Sequence, residues 1–138
     1  RKLAEAALDK IDGAMNRKTR EWTARVPLPG GDFPVKEVDR LRADLNAKLP
    51  FFDENVTARL FRQYGIEAAE IFEGAVSLED CGTVLGHGVT GREVDWAIEN
   101  EWVHTADDFL WRRSKLGLRF SAEEAANLNA YITAKLAA

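Results

Sequence analysis

Helix-boundary signals recur along most of this 138-residue chain, and they constrain its fold more than any other feature. Ser121 and Glu124 have the spacing of a capping box, and Thr90 and Glu93 repeat that spacing upstream. Asp53 is a good N-cap in front of another stretch of periodic apolar residues. Between these signals the apolar residues recur at helical spacing, and the alternation typical of strands amounts at most to short bridges near 83–85 and 118–120. The sequence therefore predicts an all-α fold.

The predicted architecture is a compact bundle of about six helices, preceded by a separate N-terminal helix and a Pro/Gly linker. Residues 1–17 form the first helix, which carries a narrow, Ala-rich apolar stripe. Residues 27–34 hold three prolines and two glycines, a composition that interrupts any regular element. The chain therefore divides into 1–33, the terminal helix with its linker, and 34–138, a helical domain. The later helices are predicted near 34–49, 53–65, 66–76, 91–102, 105–117 and 121–136.

Composition narrows the classes of function. The net charge is -4 and the pI about 5.3, so the chain has no overall positive field to attract nucleic acid or anionic lipid. No apolar run approaches the ~20 residues that cross a bilayer. Cys81 is the single cysteine, so an internal disulfide is excluded. Its predicted role is that of a small apolar side chain that fills space in the core. The chain opens without Met, on Arg1, in what already reads as helix, so we expect it to be part of a longer protein.

The stretch 101–117 carries the marks of a short helix at both ends. Thr105 can cap its N-terminus, and Asp107 and Asp108 follow in the first turn, where the helix dipole favours negative charge. Gly117 is the expected left-handed stop. Both ends being marked, the sequence predicts a helix that begins and ends within this stretch.

Three basic residues near the end of this stretch, Arg112, Arg113 and Lys115, form the densest cationic run of the chain. Arg112 lies four residues after Asp108, the spacing of an ion pair on one helix face. The run has three interpretations: a solvated helix end with ion pairs, an interface with another domain, or a nucleic-acid reader of the helix-turn-helix type. The acidic balance of the chain argues against the last.

The four tryptophans, Trp22, Trp96, Trp102 and Trp111, are predicted to be anchors in a core or an interface. Their large apolar rings favour burial, and the indole N–H needs a partner there. Two of them, Trp102 and Trp111, flank the acidic and basic residues of the stretch 101–117.

A glycine pattern at Gly86, Gly88 and Gly91 matches the spacing of a dinucleotide-binding turn and precedes a predicted helix. That motif needs a buried strand leading into it, and the approach at 77–82 is too polar to be one. We therefore interpret the glycines as places for tight turns and close backbone contact.

The residues suited to metal binding or nucleophilic catalysis are few and scattered. His87 and His104 lie 17 positions apart, and Cys81 does not complete a set of three or four ligands with them. A Cys81–His87 nucleophile pair has no nearby group to orient the base. The sequence thus predicts no catalytic, cofactor-binding or metal residue within this chain.

Several segments together resemble the C-terminal domain of FAD-dependent glycerol-3-phosphate dehydrogenases. The specific ones are Glu-Trp at 101–102, Thr-Ala-Asp-Asp at 105–108 and Leu-Trp-Arg-Arg-Ser-Lys-Leu-Gly at 110–117. Departures are small: Cys81 stands where the family pattern often has Leu, and Ser114 where it often has Thr. Shorter pieces fall in the family's order at 1–5, 22–23, 28–31, 64–65, 80–82 and 86–87.

The resemblance implies a parent enzyme that oxidises sn-glycerol 3-phosphate to dihydroxyacetone phosphate and passes electrons through FAD to quinone. It places the flavin, the phosphate-binding basic residues and the catalytic histidine in an N-terminal flavin domain of the same chain, for which residues 34–138 form a non-catalytic cap. FAD is then expected in the parent and not in this segment. The expected partners of the parent are quinone and the membrane surface. No nucleic acid is expected as a partner, and the parent is also expected to form a homodimer.

The implied location is cytoplasmic, peripherally associated with the inner face of the membrane. The alternative is a stand-alone helical interaction or nucleic-acid-binding module that uses the run from Arg112 to Lys115. Either way, the stretch 101–117 supplies the residues that we expect to support the fold or a docking surface. They are Trp102, Asp107, Asp108, Trp111, Arg112, Arg113 and Lys115.

Overall fold

The computed structural model describes residues 1–17 and 22–138, and it confirms the all-α class. Helices dominate these residues, and the β-structure described in them is one short hairpin. Within the described ranges, none of the helices combines the length and apolarity that a membrane crossing needs. The elements are α1 (Lys2–Ala14), α2 (Val38–Lys48), α3 (Glu54–Tyr64), α4 (Ala68–Ile71), β1 (Val84–Gly86), β2 (Val89–Thr90), α5 (Gly91–Glu101), a π-helix (Asp108–Arg113) and α6 (Ala122–Leu136).

Two of the predicted helix starts are confirmed by their hydrogen bonds. A side-chain oxygen of Asp53 accepts from the backbone N–H groups of Asn55 and Val56, at 2.8 and 3.0 Å. Ser121 and Glu124 form both halves of the predicted capping box, with the Ser121 N–H donating to the Glu124 carboxylate at 2.8 Å. These caps satisfy amides that the first helical turn leaves without partners.

The predicted helix at 66–76 is wrong in extent. A 3-10 turn, Gly65–Glu67, leads into α4, which spans only Ala68–Ile71. Gly74 then takes a left-handed φ of +78°, which ends the helical path, and Val76 is 85% exposed. The helix predicted to start at Pro34 likewise begins as a 3-10 turn and becomes α-helical at Val38.

A small antiparallel hairpin stands where the sequence predicted at most short bridges. Val84 pairs with Thr90 and Gly86 with Val89. The two residues at its tip, His87 and Gly88, have φ of +48° and +73°. Positive φ at both central positions is the geometry that lets a two-residue turn follow the twist of the strands. The other predicted bridge, at 118–120, is not formed: Leu118 ends a 3-10 turn, Leu116–Leu118, and the next two residues belong to no strand.

The interior consists of two apolar clusters, with α5 in contact with both. The N-terminal core joins α2, α3 and α4 and includes Leu60, Phe72 and Cys81, each at most 2% exposed. The predicted role of Cys81 as a buried apolar filler is thus confirmed. The C-terminal core is built by the hairpin, α5, the π-helix and α6. It comprises Leu85, Val89, Val94, Ala97, Val103, Ala106, Phe109, Leu110, Leu116, Leu128 and Ile132.

Three of the four tryptophans are not core residues. Trp96, on α5, packs against the N-terminal core. Trp22, Trp102 and Trp111 are 62%, 79% and 44% exposed. Of the two roles predicted for these three, core and interface, the core role is therefore wrong.

The first helix buries little of its apolar stripe. Leu3 is 85% and Ile11 51% exposed, whereas the buried residue of α1 is a carboxylate, Glu5. The Thr23 hydroxyl donates to Glu5, and the Arg1 guanidinium donates to the Val26 carbonyl at 2.9 Å. Polar contacts rather than apolar packing thus connect α1 to the residues that follow. The division at 33/34 remains a prediction; the Phe33 ring lies 5.6 Å from that of Phe61, in the N-terminal core.

Two glycines bring the proline-rich segment into direct backbone contact with the end of α3. The Gly30 carbonyl accepts from the Ile66 N–H at 3.0 Å. A Cβ on Gly30 would overlap the Tyr64 carbonyl, and one on Gly65 would overlap the Gly30 carbonyl. Gly65 is also the predicted stop of its helix, confirmed with a φ of +59°.

Substituting Gly65→Ala should destabilise the fold by about 3 kcal/mol or more, because the methyl group overlaps backbone that cannot rotate away. Gly74→Ala is the matched control: Gly74 also has a positive φ but no atom within 4 Å of the added Cβ, so we expect a loss of about 1 kcal/mol. Urea unfolding followed by circular dichroism measures both. Equal losses would show that the close approach contributes nothing.

Removing residues 1–17 should leave the thermal midpoint within about 4 °C of the intact chain, because α1 contributes so little buried apolar surface. Removing 121–138 is the contrasting deletion, since it takes Leu128 and Ile132 out of the C-terminal core and should abolish the cooperative transition. Calorimetry of both truncated chains checks this. If the chain without residues 1–17 is unfolded, α1 is a part of the globule that the other helices need.

Candidate functional site

The stretch 101–117 contains a π-helix where the sequence predicted an ordinary one. Asp108–Arg113 is wound more widely than an α-helix. The Phe109 carbonyl accepts from both the N–H and the hydroxyl of Ser114, at 2.9 and 2.8 Å. This i to i+5 bond closes the wide turn. Phe109 and Leu110 face the C-terminal core, and the next three residues, 111–113, are exposed.

Asp108 organises the start of this helix. Its carboxylate accepts from the His104 N–H at 3.2 Å, from the N–H and hydroxyl of Thr105 at 3.0 and 2.9 Å, and from Arg112. The Asp108 N–H donates back to the Thr105 hydroxyl at 3.2 Å, which confirms Thr105 as a cap. The Thr105 hydroxyl is the main cause that holds the pKa of Asp108 below its usual value. The predicted pair of Asp108 with Arg112 is also confirmed, while Asp107 is exposed beside it.

The predicted left-handed stop is two residues out of place. Lys115 has the left-handed backbone, with a φ of +61°, and Gly117 does not. Gly117 is needed for a different reason: the Trp111 ring lies against it, so a Cβ there would overlap the indole. The Lys115 ammonium donates to the Trp111 carbonyl at the end of the π-helix.

The three basic residues do not form a single patch. Arg112 is paired with Asp108. Burial raises the pKa of Glu101, and the positive charge of Arg113 opposes that rise, which places Arg113 within electrostatic reach of Glu101. Lys115 instead lines a cleft together with Arg59 and Arg62 of α3. Trp102, at the end of α5, takes a left-handed φ of +55° with its ring in solvent.

A buried ion pair that the sequence does not predict lies between the two cores. The predicted capping box of Thr90 and Glu93 is wrong: Thr90 makes no side-chain cap, and Glu93 is fully buried. Arg59 on α3 donates to both oxygens of Glu93, at 2.6 and 2.8 Å, and the Tyr64 hydroxyl donates at 3.0 Å. Burial, with the Glu93 charge next in order, raises the pKa of Tyr64 far above its usual value.

One sequence signal could have located this pair. Glu93 shares a helix face with Val94 and Ala97, both apolar positions of the predicted fifth helix. A carboxylate on an apolar face needs a buried partner, because an unpaired charge there is costly. The spacing does not say which of the many basic residues supplies it.

The cleft that Lys115 lines, called here the basic cleft, is bordered by α3, the hairpin tip and residues 114–119. Its volume is about 960 Å³. The basic side chains in its lining are Arg59, Arg62, His87, Lys115 and Arg119, and the described lining also includes the carboxylate of Asp53.

The dinucleotide-like glycines serve the hairpin and its packing. Gly86 faces Glu124, Gly88 lies against Val56, and Gly91 lies against the Tyr131 hydroxyl. The strand that enters the pattern is the first arm of an antiparallel hairpin, so no parallel β-α-β unit is formed around it. These residues do not fit a flavin or nicotinamide dinucleotide. No group of three potential metal-ligating side chains occurs within 1–17 and 22–138.

Fold and site together define a small helical domain with two apolar cores and a buried ion pair between them. A family model described as the C-terminal domain of alpha-glycerophosphate oxidase matches residues 21–137. The chain belongs to this family, and the predicted resemblance is confirmed.

Relatives of known name agree with that assignment. The chain is 37% identical over 132 residues to a glycerol-3-phosphate dehydrogenase of Pseudomonas aeruginosa and 32% identical over 132 residues to the aerobic glycerol-3-phosphate dehydrogenase of Escherichia coli. Each alignment covers 96% of this chain and 26% of the relative. It is also 30% identical over 139 residues to a D-erythritol 1-phosphate dehydrogenase of Brucella abortus, covering 100% of this chain and 28% of the relative. The chain thus spans about a quarter of the length of these curated relatives.

Substituting Glu93→Gln should destabilise the domain by about 3–5 kcal/mol, because Arg59 would remain buried without its counter-charge. Glutamine keeps the shape and can still accept from Tyr64, so the loss reports the charge. Asp95→Asn is the matched control on the same helix. Asp95 pairs with Lys135 at 2.8 Å, where the two side chains are 27% and 47% exposed, and asparagine can still accept from the Tyr131 hydroxyl, so we expect a much smaller loss. Denaturant unfolding compares the two. A small loss in Glu93→Gln would mean that the ion pair is not needed.

Proposed function

We propose that this chain is the non-catalytic C-terminal helical domain of a flavoprotein dehydrogenase. The parent would oxidise sn-glycerol 3-phosphate to dihydroxyacetone phosphate, with electrons passing through FAD to quinone. The observation that carries this proposal is the 37% identity to a glycerol-3-phosphate dehydrogenase over 96% of the chain. The family match over residues 21–137 supports it independently.

The division of labour within the parent is part of the same proposal. The chain spans about a quarter of its relatives' length, so the rest of such an enzyme would supply the FAD and the reacting groups. The glycine pattern at 86–91 is occupied by hairpin and packing contacts, which supports a role without FAD for this domain. The family resemblance supports the rest of the proposal. The parent would pass electrons to quinone, lie peripherally on the cytoplasmic face of the membrane and form a homodimer.

The surface around the first helix is the best candidate for docking on the flavin domain. Leu3 is 85% and Leu8 51% exposed on α1, and Trp22 is 62% exposed beside it. An apolar recess of about 720 Å³ extends this surface along the proline-rich segment to Ile66. Exposed apolar groups of this size are typical of protein interfaces. Because the family match is to a C-terminal domain, the flavin domain that precedes it in the parent is the partner that we propose.

Two alternatives are weaker. Nucleic-acid recognition would need the basic run to act together, whereas Arg112 is paired with Asp108 and the charge of Arg113 acts on Glu101. A different polyol phosphate as substrate is favoured by one observation, the 30% identity to a D-erythritol 1-phosphate dehydrogenase. Assaying the parent enzyme with both phosphates would separate these substrates.

We predict that the purified 138-residue chain is colourless and shows no dehydrogenase activity with an artificial electron acceptor. Supplying the N-terminal flavin part should give a complex that oxidises glycerol 3-phosphate. Leu3→Glu should weaken that complex, whereas Val76→Glu, at an equally exposed position outside both α1 and the lining of the apolar recess, should not. Flavin absorbance that stays with the isolated chain through gel filtration would contradict the proposal, and so would equal effects of the two substitutions.

A further inference from the structure

The basic cleft concentrates positive charge on a chain whose net charge is -4. Arg62, Lys115 and Arg119 lie in its lining, where Asp53 is the single carboxylate among the described residues. Asp53 is already engaged as the N-cap of α3. Neither Arg62 nor Arg119 is paired with a carboxylate among the residues that the structure describes. The cleft therefore offers free cationic groups to an anion.

A buried hydroxyl without a partner lies in the same lining. Thr90 is 0% exposed, and its Oγ1 has no hydrogen-bond partner in the described part of the chain. The Nε atom of Arg59 is a second buried donor left unbonded there. Buried polar groups are normally hydrogen-bonded, so two orphan groups at one cleft point to a ligand that carries acceptors.

The other residues of the lining indicate what the rest of that ligand is like. Phe52, Leu116 and Val84 contribute apolar surface beside the charged groups. The volume of about 960 Å³ lies at the upper end of the roughly 300–1,000 Å³ common for small-molecule sites. An organic body with an anionic head fits this combination better than a bare ion.

We propose that the basic cleft binds a small organic phosphate, with the phosphoryl group near Thr90, Arg62 and Arg119. A phosphoryl group has three acceptor oxygens and close to two negative charges, so it can use several guanidinium and hydroxyl donors together. A single carboxylate would leave part of this donor set unbonded. The residues named for the site all belong to this chain, and the proposal does not depend on the reaction of the parent enzyme.

Titration of the isotope-labelled chain with phenyl phosphate tests the proposal, with benzoate as the matched carboxylate. We expect phenyl phosphate to shift the amide signals of Val56, Gly88 and Lys115, with about tenfold higher affinity than benzoate. No shift at millimolar concentrations, or equal affinities for both anions, would overturn it. A hexaglutamate peptide that competes more strongly than phenyl phosphate would assign the cleft to an acidic polypeptide instead, and would also overturn it.

Variants locate the binding. The double substitution Arg62→Gln with Arg119→Gln should weaken phenyl phosphate binding by about tenfold or more. Arg42→Gln removes the same kind of exposed charge from α2, outside the cleft, and should leave the affinity unchanged. Thr90→Val keeps the shape and should weaken binding by about fivefold, while the thermal midpoint of the free chain does not fall. Equal weakening in the Arg42 variant, or full affinity in the Thr90 variant, would contradict the proposed site.

Discussion

The salt bridge between Arg59 and Glu93 is the interaction on which the rest of the domain depends. It joins α3 to α5, the helix that contacts both cores, and both charges are largely removed from water. Such a pair stabilises a fold only when its geometry is close to ideal and its remaining atoms are bonded. The two-pronged contact and the Tyr64 hydroxyl meet that condition for Glu93. The Arg59 guanidinium also donates to the Gly88 carbonyl at 3.2 Å, so one side chain fixes α3, α5 and the hairpin tip together.

That single connection also determines the wall of the basic cleft. Arg59 holds the hairpin tip where Thr90 and His87 line the cavity, opposite the segment that carries Lys115. The His87 ring also lies 5.3 Å from that of Phe120. The cleft is thus a consequence of how the two cores are joined, and its cationic groups come from elements far apart in the chain.

Comparison of two similar motifs shows what the sequence could predict. Ser121 with Glu124 and Thr90 with Glu93 have the same spacing, yet the first forms a capping box and the second does not. The first is satisfied entirely within its own turn, so local chemistry decides it. The second is overridden by Arg59, whose position 34 residues away has no local signature. Helix class and most caps were therefore predictable, and the partner of a buried charge was not.

The same limit applies to the candidate site. The basic run at 112–115 was visible because its members are adjacent, but the wide π-turn sends Arg112 and Lys115 to different surroundings. The basic cleft was invisible because Arg62 and Arg119 come together only through tertiary packing. The family resemblance predicted the function, which the spacing of single residue types did not, because it depends on the whole stretch 101–117.

The contact between Gly30 and Gly65 has a consequence for how such a chain can evolve. Each residue leaves the space that a neighbouring carbonyl occupies, so a side chain at either position collides before the other can compensate. A single substitution at either position therefore pushes the two backbones apart, and relief would need a change in the length or path of the loop. Two residues that have no side chain thus fix where the proline-rich segment crosses α3.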